Sequence, residues 1–225
     1  MTSERLTIGV LLEGGLAQLR GKIVACLLFV AVDVLANYSV LWAESRYGLG
    51  LTLTLTAMVA IYAITSSLFI VVLGNALPHA IADPLELFVR VAFAIAVSLI
   101  ATTAIIVGLI LLIVPGLYLN ARWFVSQPLV LLGGRGIIGG LRESWHLTGL
   151  SAWSLVGVTL VLFVPDAALS LFGSDDVVTN FMAPSLSLLA ETTIGSVVSM
   201  FSLAIVVFAY SELASRSDWL AETFA

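Results

Sequence analysis

Charge is what this sequence has least of. Only 10% of its 225 residues are Asp, Glu, Lys or Arg, against roughly a quarter in a soluble domain, so too little polar surface exists to keep a folded body of this size in water. Basic residues are scarcer than acidic ones, nine against fourteen for a formal net charge of -5. This excludes the clustered cationic face that a nucleic-acid partner requires. A single cysteine, Cys26, excludes an intramolecular disulfide. With two histidines, His79 and His146, in different loops, no metal site or other cofactor is expected. The alternation of apolar and polar residues over about ten positions that marks a membrane barrel strand is missing too.

What is there instead is hydrocarbon: 60% of residues are hydrophobic and the mean hydropathy is +1.14. A membrane helix needs about 20 mostly apolar residues to cross about 30 Å. Six segments meet that need, at 23–41, 51–77, 87–114, 117–132, 151–172 and 184–213. The expected fold is therefore all-α, a polytopic membrane helix bundle of six spans forming a single transmembrane domain over 1–225. Arg20 and Lys22 before the first segment imitate a signal peptide. Asp33 within it, and the lack of a small-x-small cleavage site before Trp42, make it a retained anchor instead.

Orientation follows from the basic residues. With the N-terminus in the cytoplasm, Arg5, Arg20, Lys22, Arg90, Arg135, Arg142 and Arg216 lie inside and only Arg46 outside, the bias expected of cytoplasmic loops. Both termini are then cytoplasmic. Two amphipathic stretches, 7–20 and 136–148, read as interfacial helices along the cytoplasmic face. The first carries Ile8, Leu11, Leu12, Leu16 and Leu19 at helical spacing, the second Ile137, Ile138, Leu141 and Trp145.

Local motifs add little chemistry. "GRGIIG" at 134–139 matches G-x-G-x-x-G by letter, but a membrane helix precedes it where a dinucleotide site needs a strand, so its glycines are expected to make a turn. His79 and Asp83 are two residues in a loop interrupted by Pro84, not a metal site.

The stretch "LLIVPGLYLNARWFVSQPLVL" at 111–131, followed by "GLRESWHLTGLSAW" at 140–153, is more specific. It resembles the membrane-domain family of bacterial glycerophosphoryl diester phosphodiesterases and related inner-membrane proteins. The matching positions are Pro115, Gly116, Tyr118, Leu119, Arg122, Trp123, Pro128, Leu141, Arg142, Ser144, Trp145, Leu147, Thr148 and Trp153. The resemblance implies a bacterial cytoplasmic (inner) membrane location and concerns the membrane part alone. The soluble catalytic domain of fused members has no counterpart in these residues, so the esterase activity does not carry over, and no catalytic residue is expected.

Pro115 and Gly116 are expected to end the third span and turn the chain tightly into the fourth. Polar residues inside the spans form the candidate site. At 1.5 Å per residue, Asn37 and Asp166 lie about 21 and 22 Å from the cytoplasmic end of their spans, and Arg122 and Glu191 about 9 and 10 Å from the outer end. Asp33, one turn below Asn37, is about 15 Å in. The expectation is one buried polar layer in which Arg122 pairs with Asp166, Glu191 or Asp33, either as a structural clasp or as part of a path. Two functional readings follow. One is a non-enzymatic scaffold or accessory subunit that associates with lipid, with other membrane protein subunits or with itself. The other is a transporter or permeation unit for a small solute, proton or lipid, built around that layer.

Overall fold

In the computed structural model the described residues are 6–48, 50–76, 83–172 and 186–224. They form nine α-helices: α1 (Ile8–Arg20), α2 (Ile23–Tyr47), α3 (Leu51–Leu73), α4 (Pro84–Leu111), α5 (Ile113–Arg122), α6 (Ser126–Leu131), α7 (Ile137–Leu147), α8 (Ala152–Phe172) and α9 (Leu186–Phe224), with a 3-10 turn at Gly149–Ser151. No strand occurs among the described residues, so the all-helical class stands. Four helices are long and apolar enough to cross a membrane: α2, α3, α4 and α9. A fifth candidate joins α7 to the start of α8 across a 53° bend.

Caps set the boundaries. Thr7 accepts the Val10 N–H to start α1, and Asp83 Oδ1 accepts the Glu86 N–H at 3.0 Å to start α4, with Pro84 in the first turn where its missing N–H is harmless. Gly48, at φ 62°, ends α2 in the left-handed region. The side chain of Lys22 reaches across to the last carbonyls of α3, donating to Val72 O at 3.0 Å and to Leu73 O. That contact ties the start of α2 to the end of α3 and places a cation at a helix C-terminus.

The turn between α4 and α5 departs from expectation. It falls at Leu112, which is extended (φ -160°, ψ 133°), and not at Pro115-Gly116. Pro115 stands in the first turn of α5, where N–H groups have no intrahelical partner. Gly116 instead lets the returning helix touch α4: a Cβ there would lie 2.6 Å from the Leu109 backbone nitrogen, and one on Gly108 would lie 3.0 Å from Gly116 Cα. Lower down, Arg90 of α4 donates to Leu131 O of α6 at 3.2 Å. The α4 to α6 segment is thus a long hairpin closed at both ends.

The single span expected over 117–132 is broken. Its helix stops at Arg122 and resumes at Ser126. Pro128 explains the break, because it has no N–H to give Phe124 and its ring crowds that carbonyl.

Two apolar clusters fill the interior. One joins Phe29 of α2, Phe69 and Ile70 of α3, Val97 of α4, Val130 of α6 and Ala204 of α9. The Phe29 and Phe69 rings stack at 4.5 Å. The other joins Leu11 of α1, Ala121 of α5, Val125 and Leu129 beside the break, Leu155 of α8 and Ile205 of α9. Helices α6 and α9 contribute to both, so they hold the two halves together.

Helix α1 packs into the second cluster through Leu11, Gly14 and Gly15, while Ile8 and Leu16 of the expected apolar stripe are 38% and 46% exposed. Its close approach to α9 depends on the glycine pair. A Cβ on Gly14 would lie 2.3 Å from the Phe208 ring, and one on Gly15 would lie 2.5 Å from Ile205 Cγ1. In α7 the fully buried residues are Gly140 and Ser144, while Ile137 and Leu141 of the expected stripe pack half-buried against the first cluster, Trp145 is half-buried, and Ile138 is exposed. Small residues at the closest contacts set how near these helices come.

We expect Gly15→Leu to lower the unfolding temperature in detergent by several degrees, corresponding to about 1–3 kcal/mol of overpacking. Gly9→Ala on the same helix, where a Cβ meets nothing within 4 Å, should be neutral or slightly stabilising. Equal effects of the two would contradict the packing described.

Candidate functional site

Breaking a helix inside a low-dielectric bundle frees backbone groups that must find partners. In a continuous helix the Arg122 carbonyl would accept from Ser126 N–H. Here Ser126 N–H and Oγ both turn to Trp123 O, at 3.1 and 2.7 Å. The released Arg122 carbonyl accepts instead from Ser144 Oγ at 2.8 Å, and Thr148 Oγ1 shares its one proton between this oxygen at 3.0 Å and Ser144 O at 2.7 Å. Both residues are 0% exposed. Gly140, one turn earlier on the same face, lets α7 come this close, since a Cβ there would lie 2.7 Å from Val130.

The Arg122 side chain sits in an aromatic cage beside this joint. Its guanidinium carbon is 4.5 Å from the Trp145 ring centre and 5.8 Å from that of Tyr118. Tyr118 meets Trp145 and Trp153 at 6.1 and 6.3 Å, and Trp123 meets Trp145 at 6.3 Å. Arg122 is 8% exposed overall, and its Nε is buried without a hydrogen-bond partner among the described residues. Ion pairs among the described residues join Arg90 to Glu86 and Arg135 to Glu143, neither involving Arg122.

Of the three partners expected for Arg122, Asp33 is bonded elsewhere. Asp33, 4% exposed, accepts from Ser196 Oγ of α9 at 2.6 Å and from Thr65 Oγ1 of α3 at 3.4 Å. The Ser196 hydroxyl holds one carboxylate oxygen, whereas the single Thr65 proton lies closer to Ile61 O, at 3.0 Å, and aromatic rings neighbour the cation. Asn37 is engaged within its own helix, donating to Asp33 O at 2.9 Å. The side chains of Asp166 and Glu191 lie outside the described residues. Arg142 is exposed on α7, whereas Pro115, Gly116 and Pro128 shape the hairpin and its break. His79 lies outside the described residues, Asp83 caps α4, and Gly134 makes a turn at φ 64° against Arg90.

A second feature was not anticipated. Midway along the long helices, α3, α4, the α5–α6 break, α8 and α9 line a half-open cavity of about 350 Å³. Nine hydroxyl or amide side chains line it: Tyr62, Ser98, Thr102, Asn120, Ser126, Gln127, Thr159, Ser199 and Ser202. None of its described lining residues carries a formal charge. Asn120 bonds Thr159 at 3.3 Å, and Gln127 bonds Ser66 and Ser67 at 3.3 and 3.4 Å. The chamber's polar side chains are uncharged and spread over several helices, and in the sequence they show only as Ser and Thr recurring along α3 and α9. The signal was one of spacing, with Ser196, Ser199 and Ser202 three apart on one helix face.

Comparison of the chain with family models, characterised proteins and solved structures returns no match.

Removing one hydroxyl from the joint, by Ser144→Ala or Thr148→Val, should cost little because the other still serves the Arg122 carbonyl. The double variant leaves a buried carbonyl orphaned, at about 1–3 kcal/mol. A double-mutant cycle on unfolding in detergent should show coupling. If the two single effects simply add, the shared carbonyl does not matter.

Proposed function

We propose that the chain is a six-pass integral membrane protein whose central chamber binds and passes a small, uncharged, polar solute. The passes are α2, α3, α4, the broken α5–α6 limb, α8 and α9. The observation that carries the reading is the convergence of nine uncharged polar side chains on one cavity midway along apolar helices. Polar groups are costly in hydrocarbon, and a cavity that gathers them from five directions offers hydrogen bonds in place of a solute's water. At about 350 Å³, it has the volume of about ten waters. The lack of charge among the described lining favours neutral solutes over ions. Asp33 stands beside the chamber, bonded to Ser196 and Thr65, and is the one acidic group on its edge among the described residues.

The seven-to-one distribution of basic residues supports cytoplasmic termini and cytoplasmic positions for α1 and α7. The resemblance to the phosphodiesterase membrane-domain family, with its bacterial inner-membrane setting, is proposed on the signature stretch. Tyr118, Arg122, Trp123, Ser144, Trp145, Thr148 and Trp153 of that stretch belong to one joint. No step of chemistry is proposed for the chain.

The reading as a non-enzymatic scaffold or accessory subunit rests on a different observation. Ile110 to Val114 at the α4–α5 tip are 64–79% exposed, an apolar surface suited to a neighbouring membrane helix or to lipid. A stable complex recovered with native partners would favour it.

The test of passage is osmotic. Vesicles carrying the protein should take up glycerol or urea several-fold faster than protein-free vesicles, measured by stopped-flow light scattering. Ser202→Phe, which fills the chamber, should return the rate to background while the protein still elutes as a folded species. Equal rates for loaded and empty vesicles with both solutes would defeat the proposal.

A further inference from the structure

Arg122 presents a second chemistry, independent of the chamber. The guanidinium is 8% exposed, its Nε is unpartnered, and no carboxylate among the described residues lies within the 4.0 Å of an ion pair, so it is a buried cation without a counter-charge among the described residues. Such a state is costly unless an anion completes it. Cation-π contact does not use up the group's capacity. The Trp145 and Tyr118 ring centres lie 4.5 and 5.8 Å from the guanidinium carbon, and such contact leaves the N–H donors as a rigid fork for an oxyanion.

The direction of that fork is also visible. Nη1 lies 3.0 Å from the point where a Cβ on Gly149 would stand. Gly149 lies between Thr148, the C-cap of α7, and the 3-10 turn that runs into the 21-residue helix α8, so the cation meets the carbonyl end of one helix and the N–H end of the next. The N–H groups that open the turn and the guanidinium edge therefore present donors to one point, with no acid between them among the described residues. Around the same spot the chain is apolar and open: Leu150 is 82% and Trp153 71% exposed. Exposed tryptophan beside exposed leucine is the composition of a membrane interface.

We propose that Arg122, with the first turn leading into α8, binds a phosphate oxyanion, either that of a phospholipid headgroup or free phosphate. Trp145 and Tyr118 hold the guanidinium so that its edge meets the phosphate. Gly149 leaves the space for that contact. Leu150 and Trp153 would lie beside the acyl chains of a bound lipid.

The experiment uses the whole protein purified in a non-ionic detergent and titrated separately with short-chain phosphatidylglycerol, with inorganic phosphate and with an uncharged monoacylglycerol. Tryptophan fluorescence reports the cage, and native mass spectrometry counts retained lipid. Saturable binding of phosphatidylglycerol that inorganic phosphate fails to compete, and that Arg122→Gln weakens at least tenfold, assigns the site to a lipid headgroup. Binding of inorganic phosphate with the same Arg122 dependence assigns it to the free anion. Arg122→Lys, which keeps the charge but not the fork, should fall between wild type and Gln. Gly149→Ala provides the control against misfolding: it leaves the guanidinium in place but crowds Nη1, and should also weaken binding. Both proposed forms are overturned if folded Arg122→Gln and Gly149→Ala bind phosphatidylglycerol and phosphate as wild type does, or if wild type binds neither better than the monoacylglycerol.

Discussion

The carbonyl oxygen of Arg122 is the group on which this architecture turns. Once Pro128 interrupts the returning limb of the hairpin, that oxygen is cut off from its own helix and from water. Ser144 and Thr148 bring it two hydroxyls, and the need to do so dictates where α7 lies. From that placement follow the stack of Trp145 on the guanidinium, the proximity of Gly149 and the direction in which α8 leaves. A helix defect is thus the origin of the packing around it. The same defect supplies Trp123, Phe124, Ser126 and Gln127 to the wall of the chamber, which an unbroken helix would have had to enclose with regular side-chain spacing.

Helical class and most helix positions were legible because they depend on long apolar runs and scarce charge, which act locally and at one period. α2, α3, α4, α8 and α9 coincide broadly with expected spans. The broken limb was not legible as two helices, since length and hydropathy are satisfied over 117–132 whether or not the ladder is interrupted. Pro128 was the available clue. The turn at Leu112 was hidden for a similar reason. Pro115 is equally at home ending a helix or inside the first turn of one, and only the contact between Gly108 and Gly116 distinguishes the two.

The site was legible in its members more than in its pairings. Arg122 and Asp33 are both buried, yet depth along separate helices says nothing of azimuth. Arg122 turned toward aromatic faces and Asp33 toward hydroxyls on α3 and α9. The uncharged chamber escaped notice because serine and threonine inside membrane helices are commonly absorbed by their own backbone, as Ser66 and Ser67 are with Ala63 O. What distinguishes the chamber is the meeting of such residues from several helices, a property no single segment displays.

The closeness of α1 to α9 has a consequence for assembly. The Gly14-Gly15 pair at one end of the chain is shaped to Ile205 and Phe208 near the other, and α9 also joins both apolar clusters. The hairpin, its joint and the start of α8 lie within about 70 consecutive residues and can pack as they leave the ribosome, since contacts close in sequence form early. The chamber and the seat of α1 stay open on one side until α9 is threaded. Addition of α9 is therefore the step that seals the bundle, and a chain shortened before residue 200 would leave its polar interior uncovered.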